Sequence, residues 1–264
     1  MKYETVEIMP EVTLIRDKNT NIYVVESKTS TLVIDTGYGL LNLKSKVEEI
    51  TDKPVTAVVF THGHNDHAFG GHYFDRVLMH KDEMPVFERH CDIRKPQIGK
   101  ILAGEYNLSS EELDKWLEAK PEIDFISVGD IVDLGDVQLE VISLKGHTPG
   151  SIGLLDRKHR ILFSGDGLNN HIWMQLAESS TLEEYLEVLN STDRYLKDFD
   201  IICNGHSMEP LPLAFVDELK MTLSDLIGGA TGEPYNNPVA SGMIYNRNGC
   251  EVVYAPDKIR KFNK

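Results

Sequence analysis

Cysteine is scarce in this 264-residue chain, and the three present, Cys91, Cys203 and Cys250, are far apart. An odd, widely spaced set argues against a disulfide framework and fits a reducing cytoplasm. Cys203, inside the apolar run "FDIICNGH", reads as a small buried hydrophobe. Long apolar runs are also missing. No stretch approaches the length needed to cross a bilayer, and the opening "MKYETVEIMPEVTLIRDKNTN" has no leader-like core, so no secretory signal is expected. Basic residues are outnumbered, with 27 Lys plus Arg against 42 Asp plus Glu and a net charge of −15. Such a field repels phosphate backbones and disfavours nucleic acid as a partner. There is no internal repeat and no low-complexity tract. Hydrophobic content is ordinary at 41% and the length is enough to bury a substantial core, so a globular chain is expected.

The local patterns alternate between strand and helix. "TNIYVVESKTSTLVIDTG" reads as two β-branched strands around a polar turn, and "LLNLKSKVEEI" has helical spacing. "PVTAVVF" and "RVLMH" are short strands. From Met84 to Glu122 the texture becomes helical, with "SSEELDKWLEAKPE" opened by Ser109 or Ser110 and closed by Pro121. We read 84–122 as an insertion within a single 1–264 domain, where a substrate lid would sit. Strand texture returns in "ISVGDIVDLGDVQLEVISL", and "SIGLLDRKHRILFSGD" reads as a hairpin. A helix capped by Ser180 or Thr181 follows. Then come the strand "FDIICNGH", a helix over "LPLAFVDELKMTLSDLIGG", and a last hairpin turning at Asn248-Gly249.

One stretch stands apart. "THGHNDHAFGG" places His62, His64, Asp66 and His67 within six positions. Side chains two apart in an extended segment share a face, so His62 and His64 point together, and a turn brings Asp66 and His67 to the same spot. Imidazole and carboxylate are natural zinc ligands. Three later segments, "LKGHTPGS" with His147, "LFSGDGL" with Asp166 and "CNGHSMEP" with His206, each put such a group beside glycine after an apolar stretch. Seven ligands exceed the four that one tetrahedral zinc takes and suit two ions sharing a carboxylate. His72, His80, His90 and His159 have no such company and read as structural. His171, just beyond Asp166, either lines a substrate pocket or sits on the surface. Trp116, Tyr106 and Phe87 read as packing residues, and Glu183, Glu184 and Glu187 as a solvated helix face.

The ordered set His62, His64, Asp66, His67, His147, Asp166 and His206, with "LVIDTG" carrying Asp35, resembles the metallo-β-lactamase fold superfamily. The resemblance implies the α/β class and a four-layer αββα sandwich, two mixed sheets flanked by helices. It implies His62, His64 and His147 on one metal ion, Asp66, His67 and His206 on the other, and Asp166 bridging. The ions would be divalent: zinc first, iron or manganese as alternatives. A metal-bridging hydroxide would be the nucleophile, Asp66 a proton acceptor as well as a ligand, and Asp35 a residue orienting a ligand histidine. Within the superfamily, the lactamases generally lack a bridging Asp such as Asp166. The iron flavoproteins place Glu where this chain has His64, and the lactonases place Tyr shortly after the bridging Asp, where "GDGLNNH" has none. The glyoxalase II-like and acyl-CoA thioesterase-like hydrolases remain. The expectation is hydrolysis of a small thioester or ester by a monomer or homodimer without membrane partners. Alternatives are a mononuclear iron oxygenase of the persulfide dioxygenase type, a lactonase or phosphodiesterase of the same fold, and a non-catalytic metal sensor.

Overall fold

The computed structural model describes residues 2–261. The chain divides into two compact units, Met1–Glu140 and Val141–Lys264, each with its own apolar core.

The first unit is built on a seven-stranded mixed sheet whose strands follow chain order. β1 (Glu4–Met9), β2 (Val12–Asp17), β3 (Thr20–Glu26) and β4 (Thr31–Ile34) form an antiparallel meander. β1 is an edge strand, and its exposed Glu4 and Glu7 blunt that edge against pairing with other chains. β3 and β4 are buried on both faces almost throughout, which is why they read as unbroken β-branched runs. The sheet then turns parallel, and each parallel step needs a crossover. α1 (Leu43–Ile50) supplies the first, capped by Asn42, whose side chain accepts the Ser45 N–H. It leads to β5 (Val55–Val59), followed by the short α2 (Asn65–Ala68) and β6 (Val77–His80).

Between β6 and β7 (Ile123–Ile126) lie α3 (Met84–Arg89), a π-turn at His90–Arg94, α4 (Lys95–Tyr106) and α5 (Ser110–Glu118). Ser109 and Glu112 close a capping box on α5. This helical segment shares the first unit's core. Phe87, Leu102, Tyr106 and Trp116 pack with Val24, Val33 and Phe69 of the sheet side. Its polar atoms are tied in as well: Trp116 Nε1 donates to Tyr38 O at 2.9 Å and Tyr106 Oη to Asp17 Oδ1 at 2.6 Å. β8 (Ile131–Asp133) and the first half of β9 (Gln138–Ser143) end the unit as a hairpin.

In the second unit β9 continues into a sheet ordered β14-β13-β11-β10-β9, from β10 (Ile152–Asp156), β11 (Ile161–Gly165), β13 (Ile201–Asn204) and β14 (Leu211–Pro212). A four-stranded sheet ordered β12-β17-β16-β15 holds β12 (His171–Met174), β15 (Glu233–Tyr235), β16 (Gly242–Arg247) and β17 (Cys250–Tyr254). α6 (Leu182–Ser191) and α7 (Phe215–Ile227) send Tyr185, Leu189, Leu219 and Leu223 into a core with Leu162, Ile202 and Val252. Thr181, paired with Glu184, is the α6 cap. The last long helix begins at Phe215 rather than at Leu211 as its pattern suggests. Leu211 precedes Pro212, which forces it extended, so the pair forms a two-residue strand instead. Among the described residues no helix is long and apolar enough to cross a membrane.

Lys95 is a test of this packing. Only 1% exposed, it donates to Ala119 O and lies over the Trp116 ring at 4.9 Å. Burial pushes its ammonium from 10.5 down to about 8. Between those two values the unfolded chain holds more protons at this site than the folded one, so stability rises with pH through that window. Urea unfolding at pH 7.5 and 10 is expected to show wild type gaining on the order of 1–3 kcal/mol relative to Lys95→Met. A difference that stays flat with pH would contradict the burial.

Candidate metal centre

The first unit carries the compact histidine loop. It leaves the C-terminal end of β5 and winds into α2. His62, His64 and His67 are all buried. The His62 ring centroid lies 4.7 Å from that of His64 and 4.2 Å from that of His67. One donor atom of His62 is within 4.8 Å of one on His64 and of one on His67. Asp66 Oδ2 is 3.7 Å from His67 Nε2 and accepts a hydrogen bond from Thr20 Oγ1 at 3.2 Å. The loop therefore brings all four of its expected ligands together.

Asp35 organises this loop from below. It follows β4 with φ +59°, a left-handed conformation uncommon for a non-glycine residue. Its buried carboxylate accepts the Thr61 N–H at 2.7 Å, the Thr61 hydroxyl at 2.8 Å and the His67 Nδ1–H at 2.9 Å. Because the Thr61 hydroxyl proton is committed to Asp35, its oxygen is left to accept from His62 Nδ1 at 3.1 Å. One carboxylate thus puts the proton of both His62 and His67 on Nδ1 and leaves each Nε2 with its lone pair, the form a metal ligand requires. The backbone is fixed too. Thr36 donates twice to His67 O, and Gly70 is needed beside it, since a Cβ there would lie 2.1 Å from Thr36 O.

The second unit holds the other three expected ligands. His147, in the loop after β9, places its Nδ1 2.7 Å from Trp173 O. A carbonyl can only accept, so this proton also sits on Nδ1 and Nε2 carries the lone pair. His147 Nε2 is 3.7 Å from Asp166 Oδ2, and His206 Nε2 is 3.1 Å from the same oxygen. Asp166 follows β11 and His206 follows β13. Asn204 Oδ1 accepts the N–H groups of His206 and Ser207, which fixes that loop. In each unit imidazoles and carboxylates converge, His62, His67 and His147 with Nδ1 facing an acceptor, and this donor set fits divalent transition ions.

The remaining histidines separate. His72 bonds Phe69 O, His80 accepts the Asp82 N–H and His159 pairs with Asp156, all structural. His171 side chain is 38% exposed on β12, with Nδ1 2.6 Å from Glu251 Oε2. His90 differs from its expected isolation: it is buried and its ring stacks on His64. Thr61, Glu83 and His90 are the partners that sequence reasoning missed. Thr61 stood visible inside "THGH", but Glu83 and His90 carry no spacing signal.

The Metallo-beta-lactamase superfamily model matches residues 15–206. The acyl-coenzyme A thioesterase MBLAC2 of Homo sapiens is 30% identical over 190 residues, covering 63% of this chain and 64% of that one. The hydroxyacylglutathione hydrolase GloC of Haemophilus influenzae is 26% identical over 167 residues, covering 62% and 71%. The chain thus spans 64% of the length of the first curated relatives it matches. Among solved structures, a metallo-beta-lactamase from Pontibacter korlensis superposes with TM-score 0.59 at 18% identity, covering 83% of this chain and 99% of that one. The sec-alkylsulfatase Pisa1 from Pseudomonas sp. does so with TM-score 0.67 at 15% identity, covering 86% and 42%.

Replacing Asp35 tests the loop independently of any metal. Asp35→Ala leaves the Thr61 and His67 donors buried without their acceptor and is expected to lower the unfolding free energy by about 3 kcal/mol, measured in urea with metal removed. A loss under about 1 kcal/mol would show that the carboxylate does not hold the loop.

Proposed function

The chain belongs to the metallo-beta-lactamase superfamily, and from that premise we propose that it is a dinuclear metal-dependent hydrolase of small thioesters or esters. The observation that carries the reading is the pair of histidines, His62 and His67, whose tautomers are set by one buried carboxylate. We assign His62, His64 and His147 to one ion, Asp66, His67 and His206 to the other, and Asp166 to both. Zinc is the first choice. Two such ions, when bound, supply hydroxide at neutral pH and a Lewis acid for the scissile carbonyl.

The chain's own groups would do the rest. Asp66, held by the Thr20 hydroxyl, takes up the proton at its carboxylate as the ester is cleaved. His171 contacts the substrate through Nε2, because Nδ1 is engaged by Glu251. Tyr235 Oη, 3.5 Å from that Nε2, and the Trp173 ring, 6.2 Å from the Tyr235 ring, extend the same face. Segment 84–122 forms the cover of the site, anchored by Trp116 and Tyr106 in the first unit's core. The two units work as one domain. Thioesters suit this chemistry because a thiolate leaves readily and a thiophilic ion accepts it. The names of the thioesterase and hydroxyacylglutathione hydrolase relatives support that class. The few, widely spaced cysteines, Cys91, Cys203 and Cys250, all buried, support a reducing, cytoplasmic setting. The −15 charge disfavours nucleic acid as substrate.

Elemental analysis of protein purified without chelators is expected to find two transition ions per chain. A panel of acyl-CoA, S-acyl glutathione, lactone and phosphodiester substrates is expected to show turnover of the thioesters. One iron per chain with oxygen uptake would replace the hydrolase by an oxygenase, and activity confined to phosphodiesters would overturn the substrate class. His171→Ala is expected to raise KM about tenfold with kcat little changed, the signature of a binding contact; an unaltered KM would remove His171 from the substrate face.

A further inference from the structure

His64 is gripped on both sides by one short stretch of the helical segment. The N–H of Gly63, immediately before it, donates to Glu83 Oε2 at 2.7 Å. The N–H of Asn65, immediately after it, donates to His90 Nδ1 at 3.2 Å. Asn65 Oδ1 is also 3.0 Å from that Nδ1, so neutral His90 finds a partner on Asn65 in either tautomer. The His90 ring then lies almost flat on His64, with centroids 4.6 Å apart and planes at 14°. Glu83 is wholly buried and His90 nearly so.

The contact is close along its length. A Cβ on Gly63 would lie 2.9 Å from Phe87 N and 3.0 Å from Glu83 O, so only glycine lets the loop seat on the start of α3. His90 opens the π-turn at the end of α3, a wide turn of the kind that recurs at functional sites. A buried carboxylate is costly, and a backbone N–H is a strong partner for it. Placing one on the amide between two histidines fixes that peptide plane more firmly than a neutral acceptor would.

We propose that Glu83 and His90 are positioning residues for His64: together they fix the backbone on either side of it and the plane of its ring. This rests on the reading that His64 holds metal. His64 differs from His62 and His67, which are oriented through Asp35; its orientation comes from the helical segment, so that segment is part of the metal site's rigidity as well as its cover.

Titration of metal-free protein with Co2+ separates the outcomes. Glu83→Ala and His90→Ala are each expected to weaken one of two Co2+ ions about 10–100-fold and to change its d–d spectrum, leaving the other within about threefold. Glu83→Gln, which keeps an oxygen for the Gly63 N–H, is expected to restore both affinity and spectrum. His90→Gln, which keeps an acceptor near Asn65 and loses the ring, should still fall at least about threefold; these two variants carry the test if an alanine variant does not fold. Unchanged Co2+ affinity and spectrum in Glu83→Ala and His90→Ala, or in His90→Gln, would overturn the proposal. So would equal weakening of both ions with a lowered melting temperature of the metal-free protein, which marks a general packing role. Wild-type protein that takes up no Co2+ would instead overturn the metal reading itself.

Discussion

A single buried carboxylate, that of Asp35, is the constraint on which the histidine loop depends. Burying a carboxylate is unfavourable unless its oxygens are well supplied with donors. Here three donors reach it, from Thr61 N, Thr61 Oγ1 and His67 Nδ1. The same bonds that make the burial tolerable also decide which nitrogen of His62 and His67 is protonated. Loop stability and imidazole tautomer are therefore set by the same contacts. The left-handed backbone at Asp35 stores some strain there, and strain at such sites persists only where surroundings over-determine it. The Asp35 N–H bound to Val59 O, and Thr36 bound twice to His67 O, supply that determination.

The second unit reaches a similar end by neutral means. His147 is fixed by the carbonyl of Trp173, and the His206 loop by the side chain of Asn204. In both units the proposed ligands stand just beyond strand ends, after β5, β9, β11 and β13. Strands are rigid, and the short glycine-bearing loops after them can turn a side chain without disturbing the sheet. Each unit has its own core of buried aliphatic residues, Val58 and Val59 in the first and Leu162 and Ile202 in the second, which leave little room for the strand ends to shift.

Much of this was legible in the sequence, for identifiable reasons. His62, His64, Asp66 and His67 are close in sequence, so the turn that gathers them is local and a spacing rule sees it. His147, Asp166 and His206 carry a coarser sign, an apolar stretch followed by an imidazole or carboxylate beside glycine, and the fold sets both histidines beside Asp166. The caps at Ser109 and Thr181 obey the Ser/Thr-x-x-Glu rule and were found within one residue. Glu83 and His90 were not legible. They bind backbone N–H groups, which every residue but proline offers, so no side-chain pattern on the loop announces them. The apolar spacing of α7 runs on through Leu211 and so points to a start four residues too early, while the restriction imposed by Pro212 acts on the backbone alone. The helical character of 84–122 was clear, but its share in the first unit's core was not, because Phe87, Leu102 and Trp116 meet residues distant in the chain.

The hold of Asp35 on His62 and His67 can be read directly from their imidazole nitrogens. Long-range proton–nitrogen correlation spectra of the metal-free protein near neutral pH should show His62 and His67 each held as the Nδ1–H tautomer, and Asp35→Asn should release at least His67 from it. Signals showing the Nε2–H tautomer, or fast averaging of the two forms, at these residues in the wild type would contradict the account.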